Sequence, residues 1–272
     1  MISFPNCKIN LGLYIVDKRA DGYHNLETVF YPVKITDALE VVRKTDAQTP
    51  TLELSGLTVP GSPEDNLCLK AWHLLKLDFP QLPAVSMHLH KVIPMGAGLG
   101  GGSSDGAAAL QLLNEKFKLG LGDVELTAYA LRLGSDCPFF IYNRPAFAEG
   151  RGEMLSPVAP DLSQHAIVIV YPGIHISTAL AFSGIQPKPA TVNLKEAILQ
   201  PVAAWKDLIF NVFEPVAFRV YPQLEHIKRW LYQQGAIYAS MTGTGAAFYG
   251  IFPQGTLLPE APGSGWQVLS PK

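Results

Sequence analysis

The sequence carries little charge for its length, and its basic residues are dispersed. Asp, Glu, Lys and Arg make up 16% of the 272 residues, and the net charge is -2. An average soluble domain has about 25% charged residues. Because proteins that bind nucleic acid need basic patches to neutralise phosphates, and Lys and Arg form no cluster here, we expect no nucleic-acid partner.

Cysteine is also scarce, and long apolar runs are missing. The three cysteines, Cys7, Cys68 and Cys137, form no C-x-x-C pair, which is typical of reduced cytosolic thiols and excludes a thiolate metal site. Cys68 is expected to be a small buried apolar residue. No segment reaches the roughly 18 apolar residues of a membrane-spanning helix, and the first residues lack signal-peptide features. We therefore expect a cytoplasmic protein without membrane contact.

The length and the apolar content favour two domains with sizeable cores. Apolar residues make up 48% of the 272 residues, and a domain typically has roughly 150 residues. The stretch 157–164 contains two prolines and little apolar content, as a linker does. We therefore predict domains at residues 1–157 and 158–272, each with an α+β or two-layer α/β order of elements.

Apolar periodicity predicts the individual elements. Strand patterns occupy 2–16, 26–35, 39–43, 51–54, 85–93, 166–171, 236–241 and 246–252, and those up to residue 54 are expected to be antiparallel. Helical patterns follow the turn at 63–66 and occupy 123–133, 175–182, 193–200, 211–219 and 222–234. A further helix is expected to begin at a Ser103 or Ser104 cap.

A glycine-rich segment, PMGAGLGGGSSDGAAA, spans Pro94–Ala109 between a predicted strand and this helix. Its glycines let backbone N–H groups turn toward an anion, and the helix adds its positive end. The sequence therefore predicts a loop that binds the phosphates of ATP. The expected contacts are Pro94, Met95, Gly96, Ala97, Gly98, Leu99, Gly100, Gly101, Gly102, Ser103 and Ser104.

The same segment also satisfies G-x-G-x-x-G, the pattern of dinucleotide-binding folds. Such folds need an acidic residue about 20 positions later, at the end of a strand. Here the region beyond Glu115 is predicted as helix followed by a glycine turn, and no G-K-[ST] follows that would indicate a Walker loop. A nicotinamide-dependent oxidoreductase is the alternative from a different class.

A second glycine cluster, at 241–247, joins the two closing strands. It is either an ordinary hairpin turn or a second loop of the phosphate site.

Two residues are candidates for phosphoryl transfer to an alcohol, which needs alignment, charge neutralisation and a base. Asp136 lies in a polar turn that is expected to run into an apolar strand, and it is either a cap or that base. Lys8 is either an exposed strand residue or a buried cation that keeps Asp136 ionised and stabilises an alkoxide. His88 and His90 share a strand face without a third ligand, so we expect no metal site.

Three blocks together resemble the GHMP kinases (galactokinase, homoserine, mevalonate and phosphomevalonate kinases). They are Lys8 with its strand, the segment PMGAGLGGGSSDGAA and the segment MTGTGAAFYGIF, and the resemblance covers nearly the whole chain. Two further blocks are most similar to the family members that phosphorylate 4-diphosphocytidyl-2-C-methyl-D-erythritol. They are RADGYHNL, at 19–26, and GSDCPFF, at 134–140.

The resemblance implies transfer of phosphate from ATP, with Mg²⁺ carried by the nucleotide, to the 2-hydroxyl of that substrate in the non-mevalonate isoprenoid pathway. It implies an N-terminal domain with a ribosomal-protein-like left-handed β-α-β fold, a ferredoxin-like C-terminal domain, and a monomer or weak homodimer. Asp136 matches the catalytic base and Lys8 its partner. Substrate positions are matched by Asn10, Tyr23, His24, Thr178, Phe182, Gly243 and Thr244, and nucleotide positions by Asn66 and Lys91.

The chain departs from the family pattern at two positions. Ala97 replaces a more usual glycine, and Asp105 stands where Asn is common. An Asp close to phosphates is unfavourable unless it points away, and its role is open at this point. Two other functions stay possible, a GHMP kinase for another alcohol and a catalytically inactive binding protein on the same fold. The presence of both Lys8 and Asp136 argues against the latter.

Overall fold

A computed structural model describes residues 1–45, 47–257 and 265–271. The chain divides into two compact units. Unit 1 comprises Met1–Cys7, Ile35–Met95 and Gly100–Arg144, and unit 2 comprises Lys8–Lys34, Gly96–Leu99 and Pro145–Lys272. Each unit therefore combines segments that are distant in the sequence, and the division after residue 157 stays a prediction.

The elements are numbered in chain order. The strands are β1 (Ile2–Ser3), β2 (Asn6–Lys18), β3 (His24–Thr36), β4 (Ala38–Arg43), β5 (Thr51–Gly56), β6 (Val85–Lys91), β7 (Ala146–Glu149), β8 (Met154–Pro157), β9 (His165–Tyr171), β10 (Tyr238–Met241), β11 (Phe248–Pro253) and β12 (Gln267–Leu269). The helices are α1 (Leu67–Asp78), α2 (Gly101–Phe117), α3 (Asp123–Leu133), α4 (Cys137–Tyr142), α5 (Thr178–Ser183), α6 (Leu194–Ala197), α7 (Trp205–Leu208), α8 (Glu214–Val220) and α9 (Gln223–Gln233). Among the described residues, no helix combines the length and the apolar character that a membrane span requires.

Unit 1 contains a sheet with the strand order β1-β4-β6-β5. In β6, Val85, Met87 and Leu89 are buried while the residues between them are exposed, because successive side chains of a strand point to opposite faces. The expectation that the strands up to residue 54 are antiparallel is wrong for β5, which pairs parallel to β6. Helix α1 lies between β5 and β6 in the sequence, and such a crossover connection is what parallel pairing requires.

The helices of unit 1 follow the predicted order with one exception. Helix α3 begins and ends where the apolar periodicity predicts. The residues after Asp136, expected to form a strand, instead form the short helix α4. Its first turn contains Pro138, where a missing backbone N–H costs nothing because no helical carbonyl would accept it. A continuous apolar run of this length does not distinguish a buried strand from a buried helix.

Unit 2 contains two sheets, with the orders β2-β3-β7-β8 and β10-β11-β9-β12. Strands β10 and β11 form the antiparallel hairpin that the second glycine cluster predicts. The core of unit 2 combines apolar residues of β9 and of the β10–β11 hairpin with others from the helical segments. They include Val168, Phe213, Leu224, Ile227, Leu231 and Phe248. The stretch 157–164, predicted as a linker, connects β8 to β9 within this unit.

Candidate functional site

The middle of the glycine-rich segment, Gly96–Leu99, belongs to unit 2 and is held there by its backbone. The N–H of Lys8 donates to the carbonyl oxygen of Leu99 at 2.9 Å, and the N–H of Ala247 donates to that of Ala97 at 3.1 Å. These bonds attach the segment to the start of β2 and to the end of the second glycine cluster. Ala97 is buried, so its methyl group is accommodated where glycine is more usual.

The two glycine clusters pack against each other in unit 2. Gly98 has a φ of +79°, and a Cβ atom there would collide with the carbonyl oxygen of Thr242. A Cβ atom on Gly243 would in turn lie 3.0 Å from the Cα of Gly98. The Thr242 hydroxyl donates to the Gly98 carbonyl oxygen at 3.1 Å. The second cluster therefore lies beside the glycine-rich segment, which favours its interpretation as a second loop of the predicted phosphate site.

Helix α2 begins in unit 1 within the segment, at Gly101, with Gly100 as its N-cap in the left-handed conformation (φ 70°). The expectation that Ser103 or Ser104 caps the helix is therefore wrong, because glycine is itself an acceptable N-cap and starts the helix earlier. Ser103 is half-buried and Ser104 is buried in the first turn. The free N–H groups and the positive end of this 17-residue helix suit an anion such as phosphate.

Lys8 lies in a buried polar network on the long strand β2 of unit 2. Its Nζ donates to Asn10 Oδ1 at 2.6 Å and lies 4.9 Å from the ring centre of Phe30. Asn10 in turn donates from Nδ2 to the Thr28 hydroxyl at 2.9 Å, and its backbone N–H donates to the Thr242 hydroxyl at 3.1 Å. The structure thus shows that Lys8 is buried rather than exposed, and its interaction with Asp136 stays a prediction. The hydrogen bonds of Asn10 connect both predicted residues of β2 to the second glycine cluster.

Asp136 occupies the N-cap position of α4 in unit 1 and is half-buried. Its side chain makes no capping hydrogen bond to the helix, so the alternative that it serves as a cap is not supported. The next residue, Cys137, is fully buried. Burial raises the pKa of the Cys137 thiol to about 12, which keeps the thiol protonated and excludes it as the base of this segment.

The predicted substrate residues of unit 2 form an aromatic group. The His24 ring stacks on the Phe182 ring with centroids 4.8 Å apart, and Phe182 packs edge-on against the buried Phe213 at 4.9 Å. Tyr23 is exposed, and the guanidinium of Arg151 lies 5.0 Å from its ring centre. An exposed Tyr ring beside a stacked His offers both a face and a hydrogen-bonding edge to a flat heterocycle. Thr178, also predicted here, is exposed at the start of α5.

Asn66 and Lys91, the two predicted nucleotide positions outside the loop, have structural partners in unit 1. The Asn66 side chain accepts from the N–H of Cys68 at 2.9 Å and caps α1. Lys91 is fully buried and donates to Asp105 at 2.7 Å and to Asp37. Burial alone would lower the pKa of Lys91, but the carboxyl groups of Asp105 and Asp37 raise it. Asp105 therefore points into the unit, and contact of Asn66 or Lys91 with a nucleotide stays a prediction.

Two residues that the sequence analysis missed hold the second glycine cluster in place. Asn211 donates from Nδ2 to the carbonyl oxygens of Met241 at 2.8 Å and Gly243 at 2.9 Å. The buried carboxylate of Glu214 accepts from the N–H of Met241 at 2.9 Å and pairs with Lys228 at 2.6 Å. Both residues lie near α8, about 30 positions before the loop, and no local sequence pattern reveals such a partner.

The two histidines of β6, His88 and His90, are exposed. Both His88 and His90 place a ring nitrogen 2.9 Å from the Ser55 hydroxyl. Within the described ranges, no group of three or more His, Cys, Asp or Glu side chains could hold a metal ion. The prediction that Cys68 is a buried residue is confirmed, because this side chain of α1 is fully buried.

Two family models match the chain. The model of the GHMP kinases N-terminal domain matches residues 66–144, and that of the GHMP kinases C-terminal domain matches residues 193–259. The first range contains α1, the start of α2 and Asp136, and the second contains Asn211 and the second glycine cluster.

The chain is also similar to individual proteins over almost its whole length. A 4-diphosphocytidyl-2-C-methyl-D-erythritol kinase of Bacteroides fragilis (strain YCH46) is 54% identical over 253 residues, which are 93% of this chain and 92% of that protein. A crystal structure of 4-(cytidine 5'-diphospho)-2C-methyl-D-erythritol kinase superposes with a TM-score of 0.77 at 33% identity, covering 92% of this chain and 90% of that one. The mevalonate kinase of Methanococcus jannaschii superposes with a TM-score of 0.67 at 15% identity, over 94% and 92% of the two chains, and bears on the fold alone.

Proposed function

Since this chain belongs to the 4-diphosphocytidyl-2-C-methyl-D-erythritol kinase family of the GHMP kinases, we propose that it transfers the γ-phosphoryl group of ATP to the 2-hydroxyl of that substrate. The observation that carries this proposal is the 54% identity to a kinase of that name over 93% of the chain. Membership of the GHMP kinases also implies ATP as the donor in a small-molecule kinase reaction.

The proposed reaction needs a base and a stabilised oxyanion. The substrate hydroxyl oxygen forms a bond to the γ-phosphorus while the bond to the β,γ-bridging oxygen breaks and ADP leaves. We assign Asp136 as the group that accepts the hydroxyl proton, because this half-buried residue matches the catalytic base of the family it resembles. Lys8 is its proposed catalytic partner, and its buried ammonium stabilises negative charge that develops on the substrate oxygen.

The donor phosphates are assigned to the glycine-rich segment from Pro94 to Ser104. The left-handed glycines expose backbone N–H groups, and the first turn of α2 adds free donors and a positive end. Mg²⁺ bound to the nucleotide neutralises phosphate charge, and no side chain of this protein is assigned to it. Asn66 and Lys91 stay weaker assignments for the nucleotide, since each has a structural partner.

The cytidine part of the substrate is assigned to the aromatic group of unit 2. Tyr23 offers an exposed ring face, and His24, stacked on Phe182, offers ring nitrogens for the edge of a cytosine. Asn10, Thr178, Gly243 and Thr244 are proposed to contact the rest of the substrate. A cytoplasmic location and a monomeric or weakly dimeric state stay predictions.

A coupled ADP-release assay tests the proposal. The cytidine diphosphate substrate is compared with homoserine and mevalonate at equal concentrations. We expect turnover of the first alone, because the other two alcohols lack the heterocycle that Tyr23 and His24 would hold. Preferential turnover of homoserine or mevalonate would contradict the proposed substrate but leave the kinase assignment intact.

The assigned base is tested with Asp136→Asn. The amide keeps the shape of the carboxylate but cannot accept the proton, so kcat should fall roughly 100- to 10,000-fold while ADP binding is unchanged. Asp123→Asn, the same substitution at an exposed residue of α3 in the same unit, is the control and should keep full activity. An Asp136→Asn variant with wild-type kcat would show that another group accepts the proton.

A further inference from the structure

A buried ionic cluster lies where β6 gives way to the glycine-rich segment in unit 1. Lys91, the last residue of β6, pairs with Asp37 and with Asp105 of α2, and the three side chains are at most 3% exposed. Asp37 follows β3 and also accepts from the N–H groups of Val92 at 2.6 Å and Ile93 at 2.9 Å. The cluster therefore connects the end of β6, which leads into the glycine-rich segment, to α2, which begins within that segment.

The charges of this cluster do not balance if both carboxyl groups are ionised. Two carboxylates and one ammonium would leave one buried negative charge, and an uncompensated buried charge is costly. The two acids are unequal in their partners. Asp37 accepts three hydrogen bonds, from Lys91 and two backbone N–H groups. Asp105 accepts from Lys91 through Oδ2, while its buried Oδ1 accepts no hydrogen bond from the described residues.

We propose that Asp105 is a neutral acid in the folded protein, beside the ionised Asp37, and that this pair with Lys91 positions the start of α2. Both carboxyl groups accept from the same Lys91 ammonium in a buried site, so a proton on one of them removes their mutual repulsion. With Asp105 neutral, Lys91 and Asp37 form a balanced ion pair. The positioning role rests on the proposed binding of nucleotide at this helix, whereas the protonation state does not.

The titration of Asp105 supports this assignment. Burial raises the pKa of Asp105 from 3.8 to about 7, because its effect exceeds the opposing effect of the Lys91 charge. The titratable groups that face it are Lys91 of β6, Asp37 after β3 and Cys68 of α1. Burial raises the pKa of the Cys68 thiol well above its ordinary value, so Cys68 stays neutral and cannot supply the missing charge.

The protonation state is tested by the pH dependence of thermal unfolding, without any ligand. Because the pKa of Asp105 is higher in the folded protein, the folded state holds a proton that the unfolded state has lost between pH 3.8 and about 7. The stability that this group contributes is complete below that window and is lost as the pH rises through it. Between pH 5 and pH 7 the Tm of the wild type should therefore fall relative to Asp105→Asn by about 5 °C.

The positioning role is tested by comparing two matched substitutions within the cluster, with ADP binding as the measurement. Asp105→Asn replaces a neutral acid by a neutral amide and should leave the Kd for ADP within about twofold of the wild type. Asp37→Asn removes the negative charge that pairs with Lys91 and that accepts from two backbone N–H groups. We therefore expect the Kd for ADP to rise at least tenfold.

The outcomes separate the two proposals. A Tm difference that does not change with pH, or a larger loss of ADP binding in Asp105→Asn than in Asp37→Asn, would overturn the assignment of the proton to Asp105. If Asp37→Asn does not fold, the pH dependence of Tm in the wild type and in Asp105→Asn still decides whether Asp105 carries the proton. A wild-type protein that binds no ADP would contradict the proposed function alone, because the pH profile uses no nucleotide.

Discussion

His24 is the residue on which the proposed substrate specificity depends most narrowly. Its ring stacks on Phe182, and Phe182 packs against the buried Phe213. A stacked ring in a fixed orientation loses little further freedom when a second heterocycle binds beside it, so its hydrogen-bonding edge is available at low entropic cost. The exposed Tyr23 ring lies 5.0 Å from the guanidinium of Arg151.

His24→Ala should raise the KM for the cytidine diphosphate substrate about tenfold, which corresponds to about 1.4 kcal/mol, the upper range for one aromatic pair. The KM for ATP should change little, because no predicted nucleotide contact involves this side chain. Steady-state kinetics with each substrate varied in turn measures both values. His226→Ala, at an exposed position of α9 in the same unit, is the control. Equal KM values for the cytidine substrate in both variants would contradict cytosine recognition by His24.

Single residues also show where sequence analysis stops. Lys8 and Asp136 follow from the resemblance, but the partners that orient the site do not. Asn211 donates to two carbonyl oxygens of the second glycine cluster, and its own surroundings in the sequence resemble an ordinary helix start. Asp105 has a role that the sequence left open, because its partner Asp37 lies 68 positions earlier. Such pairings depend on the tertiary fold.

At the scale of elements, the contact between the two glycine clusters explains why glycine is needed at Gly98. A side chain there would meet the Thr242 carbonyl oxygen, and the backbone conformation, with a φ of +79°, disfavours any residue with a Cβ atom. The contact fixes the segment that is proposed to bind phosphate to the loop that is proposed to contact the substrate. Both loops belong to unit 2 in this region.

Gly98→Ala should raise the KM for ATP at least about tenfold, because both the segment and Thr242 must shift to admit the methyl group. Gly235→Ala is the control, since Gly235 also has a positive φ (+94°) but a Cβ atom there meets nothing within 4 Å. Both variants carry the conformational strain of about 1–2 kcal/mol, and Gly98→Ala adds the steric clash. Thermal unfolding measures how far each variant is destabilised, and kinetics measures whether ATP binding is changed. Similar KM values for ATP in the two variants would show that the close approach is unimportant for the nucleotide.

The regular elements were predictable where the pattern is local. The strict alternation in β6 and the apolar periodicity of α3 gave the right structure and, for α3, the right bounds. The errors have local causes. The apolar run after Asp136 fits a strand or a helix, and Pro138 in its first turn was the available signal for α4. The parallel pairing of β5 with β6 depends on the crossover through α1, which strand patterns alone do not reveal.

At the scale of the whole molecule, the predicted two-domain GHMP kinase fold is confirmed by the two family models and by the structural similarity to a kinase of the same family. The compact units are built from interleaved segments. The glycine-rich segment contributes Gly96–Leu99 to unit 2, and the residues on either side of this stretch belong to unit 1. A composition-based linker search cannot detect such an arrangement, because the chain passes between units several times without a polar or proline-rich stretch.

Family membership also decides between the two interpretations of G-x-G-x-x-G, and thermal unfolding with added ligands provides an independent test. A ligand that binds only the folded protein at about 100 times its Kd stabilises it by about 2.7 kcal/mol, which raises the Tm of a chain of this size by roughly 5–10 °C. We expect this shift with Mg²⁺ and ADP, its loss when EDTA and a nucleotide-free buffer replace them, and no shift with NAD at the same concentration. Stabilisation by NAD without stabilisation by ADP would contradict the assignment of the segment to ATP phosphates and would favour the oxidoreductase alternative.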